Sequence, residues 1–421
     1  MREQQDLIII GGGQAALTMS YHLTRLGREH VMLERRRVAE RWRSERWDSL
    51  RFQFPNWSLR LPGHAYAGDS EAFAHRDEVV RFLEEYANAI KAPLRCGVEA
   101  TALRQDVGSG RFVIETREHA QDGGHRESER GATLESRVVV IATGPYQRPR
   151  IPTFGADLPS DVLQLHASRY RNPEQLPDGA VLVVGSGASG SQIAEELHLR
   201  GRQVFFAIGR HHRTRRHYRG QDLLWWLKEL KLLERTRDQF AAGQFPPPLA
   251  FTGAGGGRHE LDLRQFAAAG VTLVGHLLGI RGRMLHFADD VDDILRKADA
   301  ALEEFEAAVD RHVRETGIAA PAEAARPRVG WRSPSPGRTE IDMRQSGIKS
   351  LIWCTGYQDN YGWVELPVLD AAGRPIQRRG VTACPGAYFL GLRWMHTWGS
   401  TFVFTVGDDA AYLAEHIAAR P

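Results

Sequence analysis

Residues 7–36 read LIIIGGGQAALTMSYHLTRLGREHVMLERR, and residues 181–210 read VLVVGSGASGSQIAEELHLRGRQVFFAIGR. Laid over one another at the offset from Leu7 to Val181, Gly11 meets Gly185 and Gly13 meets Gly187. Ala16 meets Gly190, and Gly27 meets Gly201. Each copy opens on a short, continuous apolar run bounded by glycine, the pattern of a buried parallel strand. A helical apolar face follows: Leu17, Tyr21 and Leu23–Leu26 in the first copy, Ile193, Leu197 and Leu199 in the second. A second apolar strand closes each unit. The chain is thus predicted to be α/β, with two units of the Rossmann kind.

The turn in both copies is G-x-G-x-x-[GA]. The first glycine permits the tight turn, and the second lets the backbone approach a pyrophosphate. The third small residue packs the helix on the strand. The anion then sits on free N–H groups at the helix N-terminus. A single such motif is a weak signal, since a glycine turn need hold nothing. Here it follows a strand, opens a helix and occurs twice in units that align.

The ends of the second strands separate the two ligands. Glu34 closes the first, where a carboxylate accepts hydrogen bonds from a ribose diol, as in FAD or NAD. In the second copy that position is Ile208, and Arg210 follows two residues later. An arginine there suits a 2′-phosphate and so NADPH. Arg210 also opens a basic run, RHHRTRRHYR, ending at Arg219. Beyond one or two phosphate contacts, the run is expected to be a solvated loop.

Composition bounds the rest. The 421 residues carry a net charge of only +3, which argues against a dedicated nucleic-acid binder. The 42% apolar content and 25% charged content describe a soluble globular chain of two to four domains. Five lysines against fifty arginines suggest a GC-rich genome rather than a chemistry. Cys96, Cys354 and Cys384 are too far apart for a C-x-x-C pair or a zinc spacing, so neither a disulfide framework nor a metal site is expected. The run Leu7–Ile10 is too short for a signal sequence, and no stretch reaches the ~20 apolar residues of a membrane span. The reading is a cytoplasmic protein with no membrane and no nucleic-acid partner.

Two more strands end in T-G turns: VVVIATGPYQRPRIP from Val138 and LIWCTGY from Leu351. Such turns are where a two-dinucleotide flavoprotein crosses between domains, so crossings are placed near 144–155 and 340–356. The expected domains are 1–150 and 346–421 for FAD, with 151–345 for NADPH inserted between them. Within the insertion, Asp222–Glu234 reads as a helix carrying Trp226, more as packing than as a substrate contact. Pro246–Gly257 reads as a mobile loop. Val271–Val274 reads as a strand, Gly279–Phe287 as a hairpin, Asp289–Thr316 as a long amphipathic helix and 317–338 as irregular. Near the end, Ser400 or Thr401 is predicted to cap a helix running to about Ile417, weakened at Gly407.

With these features placed, nearly the whole chain, from Asp6 to about Ile417, resembles the class B flavin-dependent monooxygenases, the flavin-containing monooxygenase family. GGGQAA, Glu34, IATG at Ile141, HASRY at His166, GSGASG and CTGY carry the resemblance. It implies an FAD site of Gly11, Gly13, Gln14, Ala16, Glu34, Arg35 and Trp42, with Ala142, Thr143 and Gly144 at the crossing. It implies an NADPH site of Gly185, Ser186, Gly187, Ser189, Gly190 and Arg210. The implied reaction is oxygenation of a small organic substrate by O2 and NADPH through a C4a-(hydro)peroxyflavin, at N or S rather than by Baeyer–Villiger insertion. Asn56 is the candidate polar group near the flavin edge, against an ordinary Pro-Asn turn. His166 is the candidate for proton transfer, although organising the linker suits it better. Amides near Ser400 and Thr401 are candidates to stabilise charge on the flavin N1–C2=O edge. The resemblance leaves a homodimer open.

The linker motif departs from the family pattern. His166 and Tyr170 are in place, but Ser160 and Val162 stand where Phe and Gly are usual. Tyr rather than Trp at position 170 speaks against the Baeyer–Villiger subclass. Cys354 stands where the second turn usually has Ala. Three rivals remain: a disulfide oxidoreductase, which needs a cysteine pair; an NADPH oxidase or reductase without oxygen transfer; and a nucleotide-sensing protein.

Overall fold

The computed structural model describes residues 3–119, 131–240, 259–323, 329–334 and 337–420. The expected loop Pro246–Gly257 lies outside them. Eight helices lie in the described chain: α1 (Gln14–Arg25), α2 (Glu40–Ser44), α3 (Arg76–Ala89), α4 (Ala188–Leu199), α5 (Leu223–Glu229), α6 (Leu263–Ala268), α7 (Val291–Thr316) and α8 (Val406–Ala418).

Two mainly parallel sheets organise them. In the first, Glu3–Ile10 lies between Val31–Glu34 and Thr133–Ile141, with Leu94–Cys96 outside Val31–Glu34. Thr133–Ile141 pairs antiparallel with Phe112–Glu118 at its start and parallel with Ala387–Phe389 at its end. The carboxyl half of the central strand, Leu7–Ile10, is apolar, and Leu7, Ile8 and Ile9 are wholly buried. That is the consequence of helices on both faces.

The second sheet has the order Leu163–His166, Ile348–Trp353, Ala180–Val184, Val204–Ala207, Thr272–Val274, all parallel. Two apolar clusters pack its faces, one around Val183, Ile193 and Leu197, the other around Leu182, Phe205 and Trp353. Ile348–Trp353 belongs to this sheet, so the chain leaves it after Trp353, beyond the expected bound at 345.

The outward and return crossings meet. Arg148–Pro149 and Tyr357–Gln358 form a two-stranded antiparallel ribbon. Arg150 N–H donates to Gly356 O at 2.9 Å, and the Thr355 hydroxyl donates to Arg150 O. Gln147 ties both sides: its amide nitrogen donates to Thr143 Oγ1 and Gly144 O, while its oxygen accepts from Asn360 N–H at 2.8 Å.

The insertion departs from the sequence reading in two places. The predicted helix Asp222–Glu234 stops at Glu229, because Lys231 adopts φ +53° and a short 3-10 turn follows. Trp226 is fully buried, its Nε1–H donating to Tyr218 O, which is a packing role. The basic run is not a solvated loop. Arg213 pairs with Asp262 and Asp299, Arg215 with Glu260 and Glu306, and Arg219 with Asp310. These acids stand 45 to 91 residues beyond their arginines and include three on α7, so local sequence gave no sign of them.

Arg216 and the segment after it cross back onto the first unit. Arg216 is 1% exposed; it donates to Gln53 O at 2.7 Å and lies over the Phe73 ring. Further on, Arg237 N–H donates to His396 O and Trp398 N–H to Arg235 O. Residues 216–240 thus strap the insertion to the first unit.

Candidate active site: two glycine cradles and the crossing between them

Gly11 has φ +131°, and a Cβ there would stand 2.5 Å from Ala142 O. Gly185 repeats this with φ +107° and Cys354 O at 2.6 Å. In each unit, therefore, the crossing strand lies directly against the first glycine. Only glycine holds this backbone without strain. The third positions differ. A Cβ on Gly190 would stand 1.7 Å from Gly185 O, whereas Ala16 is accommodated and buried.

The middle glycines make the cradles. Gly13 and Gly187 are the N-caps of α1 and α4, and neither helix start has a side-chain cap. Around the Cβ position of each, no protein atom beyond its own chain neighbourhood lies within 4 Å. Four N–H groups at a helix start need partners. Open space in front of two uncapped starts fits the pyrophosphate of a dinucleotide, so the residues present fit the implied cofactors.

Glu34 ends the second strand against Gly12, whose Cβ would stand 2.8 Å from Glu34 Cγ. Its Oε1 accepts from Arg36 N–H at 3.0 Å. Burial pushes its carboxyl above the usual range, a cost that a hydrogen-bond donor such as a ribose hydroxyl would relieve. Arg35 beside it is exposed, and Trp42 is half-buried on α2. Gln14 Nε2–H donates to Thr401 O at 3.0 Å, which draws the C-terminal segment to the first cradle.

In the second unit, Ser186 faces inward. Its hydroxyl accepts from Gly209 N–H at 3.1 Å, and its carbonyl accepts from His211 Nδ1 at 2.9 Å. Burial pushes the His211 imidazole down to about 4. Ser189 is half-buried in the first turn of α4. Arg210 is exposed beside this knot.

His166 ends the outermost strand of the second sheet. Its Nε2 lies 3.0 Å from Gly356 O, and its Nδ1 accepts from Ser168 N–H at 3.1 Å. That pattern fixes a neutral ring protonated on Nε2. Burial lowers its pKa, and Tyr357 packs edge-on at 5.0 Å. The ring staples the crossing. Asn56 is 4% exposed: its oxygen accepts from Ala74 N–H at 2.6 Å and its nitrogen donates to Asp69 O at 2.9 Å. The amide therefore spans the loop 69–74 rather than lying on a surface turn.

Ser400 and Thr401 do not cap the last helix. Residues 398–401 form a 3-10 turn, and α8 begins only at Val406 after Thr405. The Ser400 hydroxyl instead accepts from His396 N–H and Thr397 N–H, closing its own turn. Gly407 sits in the first turn of α8, where a Cβ would stand 3.1 Å from Pro62 Cγ.

Residues 8–235 match the model of the pyridine nucleotide-disulphide oxidoreductase family. A relative from Geobacillus kaustophilus, named an uncharacterized oxidoreductase CzcO-like, is 30% identical over 99% of both chains. The chain belongs to the pyridine nucleotide-disulphide oxidoreductase family. Rice indole-3-pyruvate monooxygenase YUCCA1 is 30% identical over 45% of this chain and 44% of its own. In fold, a flavin monooxygenase from Stenotrophomonas maltophilia matches with TM-score 0.66 at 17% identity, over 99% of each chain. A bacillithiol disulfide reductase from Bacillus cereus matches with TM-score 0.62 at 16% identity, over the full length of both. The resemblance to class B flavin-dependent monooxygenases agrees with these matches.

In this pyridine nucleotide-disulphide oxidoreductase the three cysteines are all free. Cys354 lies in the second crossing against Gly190, and burial pushes its thiol far above the ordinary range. A thiol so held is a poor nucleophile. Sequence reasoning missed Gln147, Arg216 and Tyr361. Buried Tyr361 brings its hydroxyl beside Thr143 and Gln147 without a well-aligned hydrogen bond. Each acts across a long sequence separation, and only the two T-G turns hinted at where such ties would fall.

Proposed function

We propose that the chain is an FAD-dependent monooxygenase that uses NADPH and O2 to place one oxygen on the nitrogen or sulfur of a small organic substrate. The pair of open, uncapped glycine cradles carries this reading, one backed by the Glu34 carboxylate and the other followed by exposed Arg210. The family match and the relative named a monooxygenase support it.

FAD would be held by Gly11, Gly13, Gln14, Ala16, Glu34, Arg35 and Trp42, with Ala142, Thr143 and Gly144 at the crossing. NADPH would be held by Gly185, Ser186, Gly187, Ser189, Gly190 and Arg210. When bound, the flavin supplies hydride acceptance and oxygen activation. The chain's own work is binding and orientation. The α1 and α4 N–H groups meet the pyrophosphates, Glu34 accepts from a ribose diol, and Arg210 meets a 2′-phosphate. His166 and Gln147 tie down the return crossing, at Gly356 and at Asn360. No side-chain nucleophile is needed.

The test is a panel of amines, thioethers and ketones, followed by NADPH consumption, peroxide yield and product mass. An amine or thioether product one oxygen heavier is expected. A lactone or ester from a ketone would move the reading to Baeyer–Villiger insertion. NADPH consumption recovered wholly as peroxide across the panel would overturn oxygen transfer.

A further inference from the structure

Tyr146 is 38% exposed, in the loop that leaves the first sheet after Ile141. Two guanidinium groups lie against its ring, Arg46 at 5.2 Å and Arg393 at 5.0 Å from the centroid. Arg46 follows α2, and also lies 5.9 Å from the Trp42 ring. Arg393 follows the strand Ala387–Phe389 at its carboxyl end. Tyr146 packs edge-on against Tyr357 of the ribbon, at 5.3 Å. All these residues sit at the carboxyl edge of the first sheet, beside the crossing. In open α/β sheets ligands bind in the crevice at that edge.

The two cations are unlike their neighbours. Arg41 pairs with Glu45, Arg43 with Glu84 and Arg76 with Asp48. Among the described residues neither Arg46 nor Arg393 has a carboxylate within ion-pair distance. Asp359 is close enough for Arg393 to act on its charge, but makes no ion pair with it. Two positive charges thus lie against one aromatic ring, and neither is closed off by a direct ion pair. A cation–π contact holds each in place; Arg46 spends one N–H on Glu45 O at 2.9 Å and lies beside the Tyr357 hydroxyl, and its remaining N–H groups, like those of Arg393, are left for another partner.

We propose that Arg46 and Arg393 form an oxyanion subsite at the mouth of the crevice, taking a carboxylate or phosphate of a ligand bound between the sheets. Its source is either a phosphate of the nicotinamide dinucleotide or a carboxylate on the substrate. The proposal rests on the crevice being the reaction site. It is tested by binding without turnover, so its failure and that of the oxygen-transfer reading are distinguishable.

The experiment is calorimetric titration of the full FAD-bound chain with NADP+ and, separately, with benzoate and inorganic phosphate. Wild type is compared with Arg46→Gln, Arg393→Gln and Arg393→Lys. Retained FAD absorbance in each variant guards against misfolding. Each Gln variant is expected to weaken one probe about ten-fold or more, as loss of a charged hydrogen bond does. Lys at 393 should recover part of that loss. Weakened NADP+ with the small anions unchanged identifies the dinucleotide phosphate. Weakened benzoate or phosphate with NADP+ unchanged identifies a substrate anion. Equal affinities in all four proteins, or anion binding that none of the variants alters, overturn the subsite.

Discussion

Replacing Arg216 by alanine should destabilise the protein by about 3–5 kcal/mol, the usual cost of removing one member of a buried ion pair. Arg216 is 1% exposed and Asp222 is 7% exposed, with Nη2 and Oδ2 2.8 Å apart. The pair is a close charge contact rather than a well-aligned hydrogen bond. Without Arg216, Asp222 keeps its charge in a buried place, and Gln53 O loses its 2.7 Å donor. The guanidinium plane over Phe73, 4.4 Å from the ring centroid, would leave a void. Asp222 would still cap α5 through Leu224 N–H, so that helix start should survive. Removing both charges together tests the account. Arg216→Met with Asp222→Asn keeps the volume and the cap while deleting the charges, and replacing a buried pair by neutral groups is often close to neutral. The expected results are a Tm loss of roughly 4–6 °C in Arg216→Ala and at most about 1–2 °C in the double variant. Differential scanning calorimetry on the FAD-bound chain measures both, and a double-mutant cycle gives the coupling. If the two single losses simply add, Arg216 does not act through Asp222, and the strap is held by something else.

Gly13→Val should still fold, because no protein atom beyond its own chain neighbourhood stands within 4 Å of its Cβ, yet purify without yellow colour and with the lower Tm of an FAD-free chain. Stoichiometric FAD in that variant would refute the first cradle. Arg210→Ala should raise the KM for NADPH ten-fold or more, from a lost charged hydrogen bond of ~1.5–3 kcal/mol, with NADH unchanged. An equal loss for both nucleotides would assign Arg210 to the fold or the pyrophosphate. His211 titrates near 4 when folded and near 6.5 when unfolded, so the unfolded chain binds more protons between those values. Its contribution is complete above pH 6.5 and is lost as pH falls, by about 2 kcal/mol at pH 5. Urea unfolding at pH 7 and pH 5 should show a smaller difference in His211→Gln than in wild type; equal differences would refute the assignment.

What was legible in the sequence was local. The glycine turns, Glu34 and the two T-G crossings each state their constraint within a few residues, because a positive φ or a close backbone approach admits few side chains. The repeat then made each copy a check on the other. The basic run failed for the opposite reason. Its arginines look solvated until Asp262, Asp299, Glu306 and Asp310 are folded onto them, and no spacing rule links those positions. At Asn56 only the alternative of a surface Pro-Asn turn falls, because the buried amide bridges to Asp69 and Ala74, partners 13 and 18 residues away. The start of α8 was placed too early because Ser400 is a good cap by type, and its own turn uses it first.

The ribbon of Arg148–Pro149 against Tyr357–Gln358 brings the two ends of the inserted unit within one hydrogen bond of each other. Topologically, the second nucleotide unit is then a cassette with adjacent terminals. A short linker between residues 147 and 359 would close the first sheet over the gap, and a foreign α/β unit with neighbouring termini would enter at the same seam. The seam alone would not hold such a graft as the native unit is held, because Arg216 and the Arg237–His396 contact fasten it at other points of the chain. An exchange that carried those two fastenings along would move one nucleotide unit, with its glycine cradle, onto the first sheet of another chain of the same fold.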